Sequence, residues 1–343
     1  MSAPALLTVE DLRVRFQTEA GQVKAVDGVS FEVRRGEVLA IVGESGCGKS
    51  VTAMSLMGLT RGTNAEITGR AMLGGTELIE ASESELRKVR GNTIAMIFQD
   101  PMSSLNPVYR VGAQIVEQIQ AHRDISDDDA RLRAIELLET VGIPGAAERV
   151  DSYPHEFSGG MRQRAMIAMG LSVEPDLLIA DEPTTALDVT IQAQIMRVLK
   201  GLNDERGLAT ILITHDLGVV AQVADRILVM YAGEIVEDGT LEQIFYDPQH
   251  PYTWGLLGSV MRLDRARSSR LAQITGSPPS LLDPPEGCKF RPRCPHAFGK
   301  CTQHPGLENR SGDAAHLDRC WLDAERKRTV RTIEGGDIGL EAA

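Results

Sequence analysis

Eight residues, Gly43-Glu44-Ser45-Gly46-Cys47-Gly48-Lys49-Ser50, constrain this chain more than any other stretch. They follow a strand-like apolar run, Val38-Leu39-Ala40-Ile41-Val42, and precede a helical one, Val51-Thr52-Ala53-Met54-Ser55-Leu56-Met57, closed by Gly58. Glycine, four residues, glycine, lysine and serine between a strand and a helix is the phosphate-binding P-loop pattern. Glycines let successive backbone N–H groups turn toward one anion, and the helix they open adds the positive end of its dipole. Lys49 can then reach the β- and γ-phosphates, and Ser50 can place its hydroxyl on Mg²⁺. A nucleoside triphosphate site with Glu44, Ser45, Gly46, Cys47 and Val51 around the phosphates is the expectation.

Short apolar runs at Leu177 to Ala180, Ile211 to Thr214 and Ile227 to Met230 join Val38 to Val42 as expected buried parallel strands. Leu12 to Phe16 and Val29 to Val33 alternate as antiparallel strands do. Helical stretches lie between them. Ser82 with Glu85, and Ser126 with Asp129, predict capping boxes; Gly91 and Gly142 predict helix ends. The second of these helices is expected to bury Leu132, Ile135, Leu138 and Val141. The fold class is therefore α/β: a mostly parallel core, an antiparallel β edge and a helical insert near residues 100–170. Residues 1–247 form the expected nucleotide-binding domain, 248–325 a small irregular C-terminal extension rich in proline and cysteine, and 326–343 a tail.

Net charge narrows the partners. At -12 the chain lacks the basic footprint of a nucleic-acid-binding protein. No run approaches the length needed to span a bilayer, and Met1 to Leu7 lacks the basic flank of a signal peptide, so the cytosol is the expected compartment.

Three further segments carry chemistry. Leu177 to Ala180 runs into Asp181 and Glu182, and in a parallel sheet that strand end faces the ligand crevice. Asp181 can hold Mg²⁺ while Glu182 polarises the attacking water. Thr210 to Thr214 leads likewise into His215, which could position that water or donate to the γ-phosphate. Phe157-Ser158-Gly159-Gly160 supplies a helix N-cap and two glycines, a second anion-binding helix start.

Taken in this order, the segments resemble those of ATP-binding-cassette (ABC) ATPases over residues 6–245. The resemblance implies that Phe16 stacks on adenine, and that Gln99 contacts Mg²⁺ beside Ser50 and Asp181 and senses a transmembrane partner. It implies Glu182 and His215 as the catalytic carboxylate and switch histidine, and Ser158-Gly159-Gly160 as the signature covering a partner's ATP. Ala186-Leu187-Asp188 would be the dimer-crossing loop. Phe98 to Pro107, Tyr153 to Phe157 and His250-Pro251-Tyr252-Thr253 look like the oligopeptide and dipeptide importer subfamily, with nickel importers as relatives. That likeness implies a second, paralogous ATPase in a heterodimer and two transmembrane permeases, with this chain held peripherally at the cytoplasmic face of the cell membrane. An extracytoplasmic binding protein would deliver the peptide. A nickel or other small-solute importer and a soluble non-transport ABC ATPase are the alternatives; the latter would carry a coiled-coil insert, two cassettes or a basic surface, none of which is visible.

Cys288, Cys294, Cys301 and Cys320 are separated by five, six and eighteen residues, a poor template for zinc and an acceptable one for an iron–sulfur cluster. Lys289, Arg291, Arg293 and Lys300 would offset the charge of a thiolate-ligated cluster. The importer subfamily implies the same, a [4Fe–4S] cluster in some members, with zinc the lesser choice. His296, His304 and His316 could substitute as ligands but read as ordinary loop residues. Cys47 is either a mildly acidic thiol at a helix start or a small filler.

Overall fold

The computed structural model describes residues 4–100, 104–184, 187–259, 274–313 and 315–335. Pro101, Met102 and Ser103 of the importer-like motif, Ala186 of the crossing loop and residues 336–343 of the tail lie outside them.

Strands β1 (Ala5–Thr18) and β2 (Gly21–Arg34) form a long hairpin. With β4 (Ala65–Leu73) and β5 (Thr76–Glu77) they make an antiparallel sheet ordered β2-β1-β4-β5. The other strands are β3 (Val38–Val42), β6 (Ile94–Ile97), β7 (Leu177–Asp181), β8 (Ala209–Ile213), β9 (Arg226–Tyr231), β10 (Glu234–Thr240) and β11 (Leu317–Asp318). They order as β11-β10-β9-β3-β8-β7-β6, with β9 to β6 all parallel and β10 antiparallel to both its neighbours. All four predicted parallel strands are present.

Period-two alternation sorts their side chains between cores. From β3, Leu39 and Ile41 enter the core shared with the antiparallel sheet, while Ala40 and Val42 face the C-terminal elements. From β7, Leu177 and Ile179 join the first of these, and Leu178 and Ala180 enter the core under the helical insert. Each fully buried Leu or Ile contributes about 1.5–3 kcal/mol. Covered on both faces, these strands read as continuous apolar runs.

Helices Val111–His122, Asp127–Thr140, Ala146–Arg149 and Gly159–Leu171 build the insert. The Ser82 capping box forms as predicted. At Ser126 the hydroxyl accepts from the Asp129 N–H and donates to its carboxylate, so the reciprocal bond to the backbone is replaced. The expected apolar face of helix Asp127–Thr140 needs correction. Leu138 and Val141 are buried and Ile135 half-buried as expected, but Leu132 is 59 % exposed, and Ala130, Ala134 and Leu137 complete the buried stripe. Two alanines at i and i+4 let helices approach closely, and Leu132 lies two positions, about 200° of rotation, from that stripe.

After Asp247 the chain stays joined to the main sheet: β11 pairs with β10, and Phe290 is buried with Tyr231 and Tyr252. Among the described residues no helix is long and apolar enough to cross a membrane.

Candidate nucleotide site

Where β3 ends, the chain needs glycine at two contacts. A Cβ on Gly43 (φ 153°) would sit 2.2 Å from the Met230 carbonyl oxygen, and one on Gly48 (φ 108°) 2.4 Å from that of Ala25. The loop is pressed against the sheet edge and can carry side chains at neither position. Its front is open: Ser45 and Gly46 are exposed, and a Cβ on Gly46 would meet nothing within 4 Å. Lys49 opens the helix Lys49–Leu56 and folds back, its Nζ donating to the carbonyl oxygens of Gly43 (2.8 Å) and Glu44 (3.1 Å). An ammonium held so is 5 % exposed and ready to exchange carbonyls for phosphate oxygens. Val51 follows in the same first turn. Cys47 is buried, 3.8 Å from Lys49 Nζ, and burial pushes its thiol up, so the filler reading holds and the acidic-thiol reading does not.

The strand ends of β7 and β8 face this loop. Ser50 Oγ donates to Asp181 Oδ1 at 3.0 Å, and burial, with Glu182 nearby, moves the Asp181 carboxyl above its ordinary range. Glu182 has a left-handed backbone (φ 48°) and its N–H donates to the Ile213 carbonyl at 2.8 Å. A non-glycine residue in that region costs on the order of 1 kcal/mol or more, and the turn aims its carboxylate out of the sheet. Gln99 Nε2 donates to Glu182 Oε2 at 3.0 Å, and His215 Nδ1 lies 3.2 Å from Glu182 Oε1. Residues 99, 182 and 215 thus meet on one carboxylate, next to the pair of oxygen donors at 50 and 181. Hard oxygens from a serine and an aspartate suit Mg²⁺, which takes few protein ligands and keeps waters.

Phe16 lies on β1, half-buried against the core shared with the antiparallel sheet. Ser158 caps helix Gly159–Leu171 through the Met161 N–H (3.3 Å). Ser158 and Gly159 are exposed, with nothing within 4 Å of a Cβ on Gly159, and Gly160 faces Leu187. This helix start therefore presents an open surface. Asp188 caps helix Val189–Arg206 through the Ile191 N–H (3.0 Å).

The cysteine segment differs from expectation. Among the described residues no group of three or more His, Cys, Asp or Glu side chains is arranged to hold a metal ion, so the thiols as placed do not fit a cluster or zinc. Cys288 and Cys301 are joined through their backbones (N–H to carbonyl, 3.0 Å). Burial raises the Cys288 thiol and pushes that of Cys320 up to about 12, which disfavours the thiolate. The nearby cations serve other partners: Lys289 binds Asp27 (2.9 Å) and Glu234 (3.1 Å), Arg293 binds Glu44, and Lys300 lies over the Trp321 ring (3.9 Å). His304 pairs with Glu234 (2.9 Å), His316 with Glu237 (2.8 Å), and His296 packs on Trp254.

Two contacts to the loop escaped the sequence. Tyr252 accepts the Glu44 N–H at 2.8 Å, and Arg293 grips the Glu44 carboxylate at 2.5 and 3.0 Å. Partners more than 200 positions away leave no periodic or spacing signal.

A phosphate loop between a strand of a mostly parallel sheet and a helix, an antiparallel sheet beside them, and a helical insert between the loop and its carboxylate strand define an ATP-binding cassette. Comparison with known proteins extends this. Residues 26–185 match the family "ABC transporter", and residues 236–301 match "Oligopeptide/dipeptide transporter, C-terminal region". The chain therefore belongs to the ABC transporter family, in its branch of oligopeptide and dipeptide transport ATP-binding proteins. It is 53 % identical to the dipeptide transport ATP-binding protein DppD of Bacillus subtilis, over 94 % of this chain and 96 % of that protein. The oligopeptide transport ATP-binding protein OppD of Escherichia coli is 54 % identical over 89 % of this chain and 90 % of its own. Among solved structures, a dimeric post-hydrolysis ATP-binding cassette bound to ADP and Pi superposes with a TM-score of 0.63. It is 26 % identical and covers 68 % of this chain and 98 % of its own.

Proposed function

We propose that this chain binds and hydrolyses Mg·ATP as the nucleotide-binding subunit of a membrane importer for peptides. The observation that carries the reading is the convergence of Gln99 and His215 on Glu182, beside the Ser50–Asp181 pair and the open phosphate loop. In this reading Gly43 to Ser50 and Val51 cradle the phosphates, Phe16 stacks on the base, and Ser50, Gln99 and Asp181 bind Mg²⁺. Glu182 activates water and His215 orients it. Ser158, Gly159, Gly160 and Asp188 face the ATP of a second cassette, a paralogue, so two nucleotides are buried when the pair closes. The exposed N-cap at Ser158 supports that role, because an open, anion-binding helix start suits a partner's triphosphate. Preferential binding of ATP to the closed pair supplies the work. This chain sits at the cytoplasmic face of the membrane against two transmembrane permeases, to which an extracytoplasmic binding protein delivers peptide, with residues 1–247 as cassette and 248–325 as extension.

The test is reconstitution with the co-purified membrane subunits in liposomes. Peptide-loaded binding protein should stimulate ATP hydrolysis and drive peptide uptake, and Glu182→Gln should abolish both. Uptake of nickel in place of peptide, or hydrolysis indifferent to any membrane partner, would replace the reading. For the four cysteines, the arrangement of the thiols opposes the expected [4Fe–4S] cluster. Iron and acid-labile sulfide analysis of anaerobically purified protein decides it, with stoichiometric zinc as the other outcome.

A further inference from the structure

Glu44 is an acidic residue inside a loop that must receive a triphosphate. It is gripped at two groups by residues from beyond position 247. Its N–H donates to the Tyr252 hydroxyl at 2.8 Å, and its carboxylate takes both arms of the Arg293 guanidinium at 2.5 and 3.0 Å. Arg293 is itself fixed. Its Nε donates to the Thr275 carbonyl at 3.0 Å, its Nη2 also to that of Gly276 at 3.1 Å, and its guanidinium carbon lies 5.8 Å from the centre of the Tyr231 ring. With its side chain only 5 % exposed, it has few other rotamers to adopt. Behind it Tyr231, Tyr252 and Phe290 form an aromatic triad with ring centres 4.6 to 5.4 Å apart, and the Phe290 carbonyl accepts the Arg293 backbone N–H.

We infer that Arg293 is a positioning residue of the ATP site, neutralising Glu44 and turning its carboxylate away so that the phosphate loop presents no free anion to ATP. The inference rests on the reading of Gly43 to Ser50 as the phosphate loop. A bidentate guanidinium both cancels the charge and fixes the direction of the carboxylate, which a lysine would do less well. Unpaired, Glu44 would repel the triphosphate and compete for Lys49, whose ammonium already contacts the Glu44 carbonyl. The C-terminal extension thereby sets the nucleotide affinity of a loop that lies 249 positions earlier in the chain.

The experiment uses the full chain assembled with its transport partners, with MgATP as probe, and measures Kd, KM and kcat beside thermal unfolding. Arg293→Ala should raise Kd and KM about tenfold while kcat changes less than about twofold, the loss of one charged, hydrogen-bonded pairing. Adding Glu44→Gln to Arg293→Ala should recover most of the affinity, because the unpaired charge is then gone. An unchanged Kd in Arg293→Ala overturns the inference, and so does a double variant no better than the single one, which marks Arg293 as mere glue for the extension. Should Arg293→Ala not fold, Arg293→Lys takes its place: an intermediate Kd improved by Glu44→Gln supports the inference, and equal Kd values with and without Glu44→Gln refute it. Lys49→Ala separates the two levels. If it leaves MgATP binding intact, the phosphate-loop reading itself fails; if it weakens binding while Arg293→Ala does not, only the present inference fails.

Discussion

Ser50 Oγ donates to Asp181 Oδ1 at 3.0 Å, tying the first turn of a helix to the end of a strand 131 positions later. Two hard oxygen donors are thus set side by side at the end of the candidate phosphate loop. Burial and the neighbouring Glu182 lift the Asp181 carboxyl above its usual range, a cost that a bound divalent cation reverses. Asp181→Asn should lower ATP hydrolysis about a hundredfold or more, and EDTA should do the same to the parent chain. Titrating MgCl₂ against phosphate release in both proteins checks this: the parent recovers with added metal and the variant does not.

Glu182 offers each oxygen to a different side chain, Gln99 at 3.0 Å and His215 at 3.2 Å, so its direction is set before nucleotide arrives. Removing its charge while keeping its shape should separate binding from chemistry. Glu182→Gln is expected to cut kcat by about 10² to 10⁴ and leave the MgATP Kd within a few-fold of the parent. Single-turnover hydrolysis alongside equilibrium binding gives both numbers, and parental turnover in the variant would remove Glu182 from its role.

Gly46 and Gly48 both have left-handed backbones, at φ 78° and 108°. Only at Gly48 does a Cβ collide, 2.4 Å from the Ala25 carbonyl oxygen, whereas at Gly46 it enters open space. Gly48→Ala should therefore destabilise the fold by about 2–3 kcal/mol and Gly46→Ala by about 1 kcal/mol. Urea midpoints of the two variants, compared at constant slope, report the difference.

His250 is fully buried, accepts the Tyr252 N–H on Nδ1 at 3.1 Å, and is held down to about 3, first by burial and then by the charges of Lys327 and Arg319. The unfolded chain takes up this proton below its ordinary value of 6.5, while the folded chain refuses it until about 3. The stability is therefore complete above pH 6.5 and declines as the pH falls, by about 2 kcal/mol at pH 5. His250→Asn keeps an acceptor and does not titrate. Chemical unfolding from pH 7.5 to 5 should show a loss in the parent that is smaller in the variant by that amount.

Much of the site could be read without coordinates because its chemistry sits at chain positions with local rules. A phosphate loop needs glycines between a strand and a helix, so Gly43 to Ser50 declare themselves. Carboxylates at the end of an apolar run, Asp181 and Glu182, follow from the way parallel sheets present their ends. The strands β3, β7, β8 and β9 were legible because burial on both faces leaves uninterrupted apolar runs. Helix Asp127–Thr140 was placed correctly, and of its expected buried face Leu138 and Val141 are buried and Ile135 half-buried, while Leu132 is not. Counting leucines misses a stripe whose closeness depends on Ala130 and Ala134.

Local sequence alone determined where the phosphate loop, the carboxylate pair and the main strands lie, since each depends on neighbours within a few residues. Tertiary structure decided which groups meet: Gln99 and His215 on Glu182, Ser50 on Asp181, Arg293 and Tyr252 on Glu44. It also sent Lys289 to Asp27 and Glu234 and Arg293 to Glu44, where charge counting had assigned both to the cysteines. A hydrogen bond between residues hundreds of positions apart depends on how sheets and loops stack, and that stacking follows from burying apolar area over the whole chain, which no short stretch encodes.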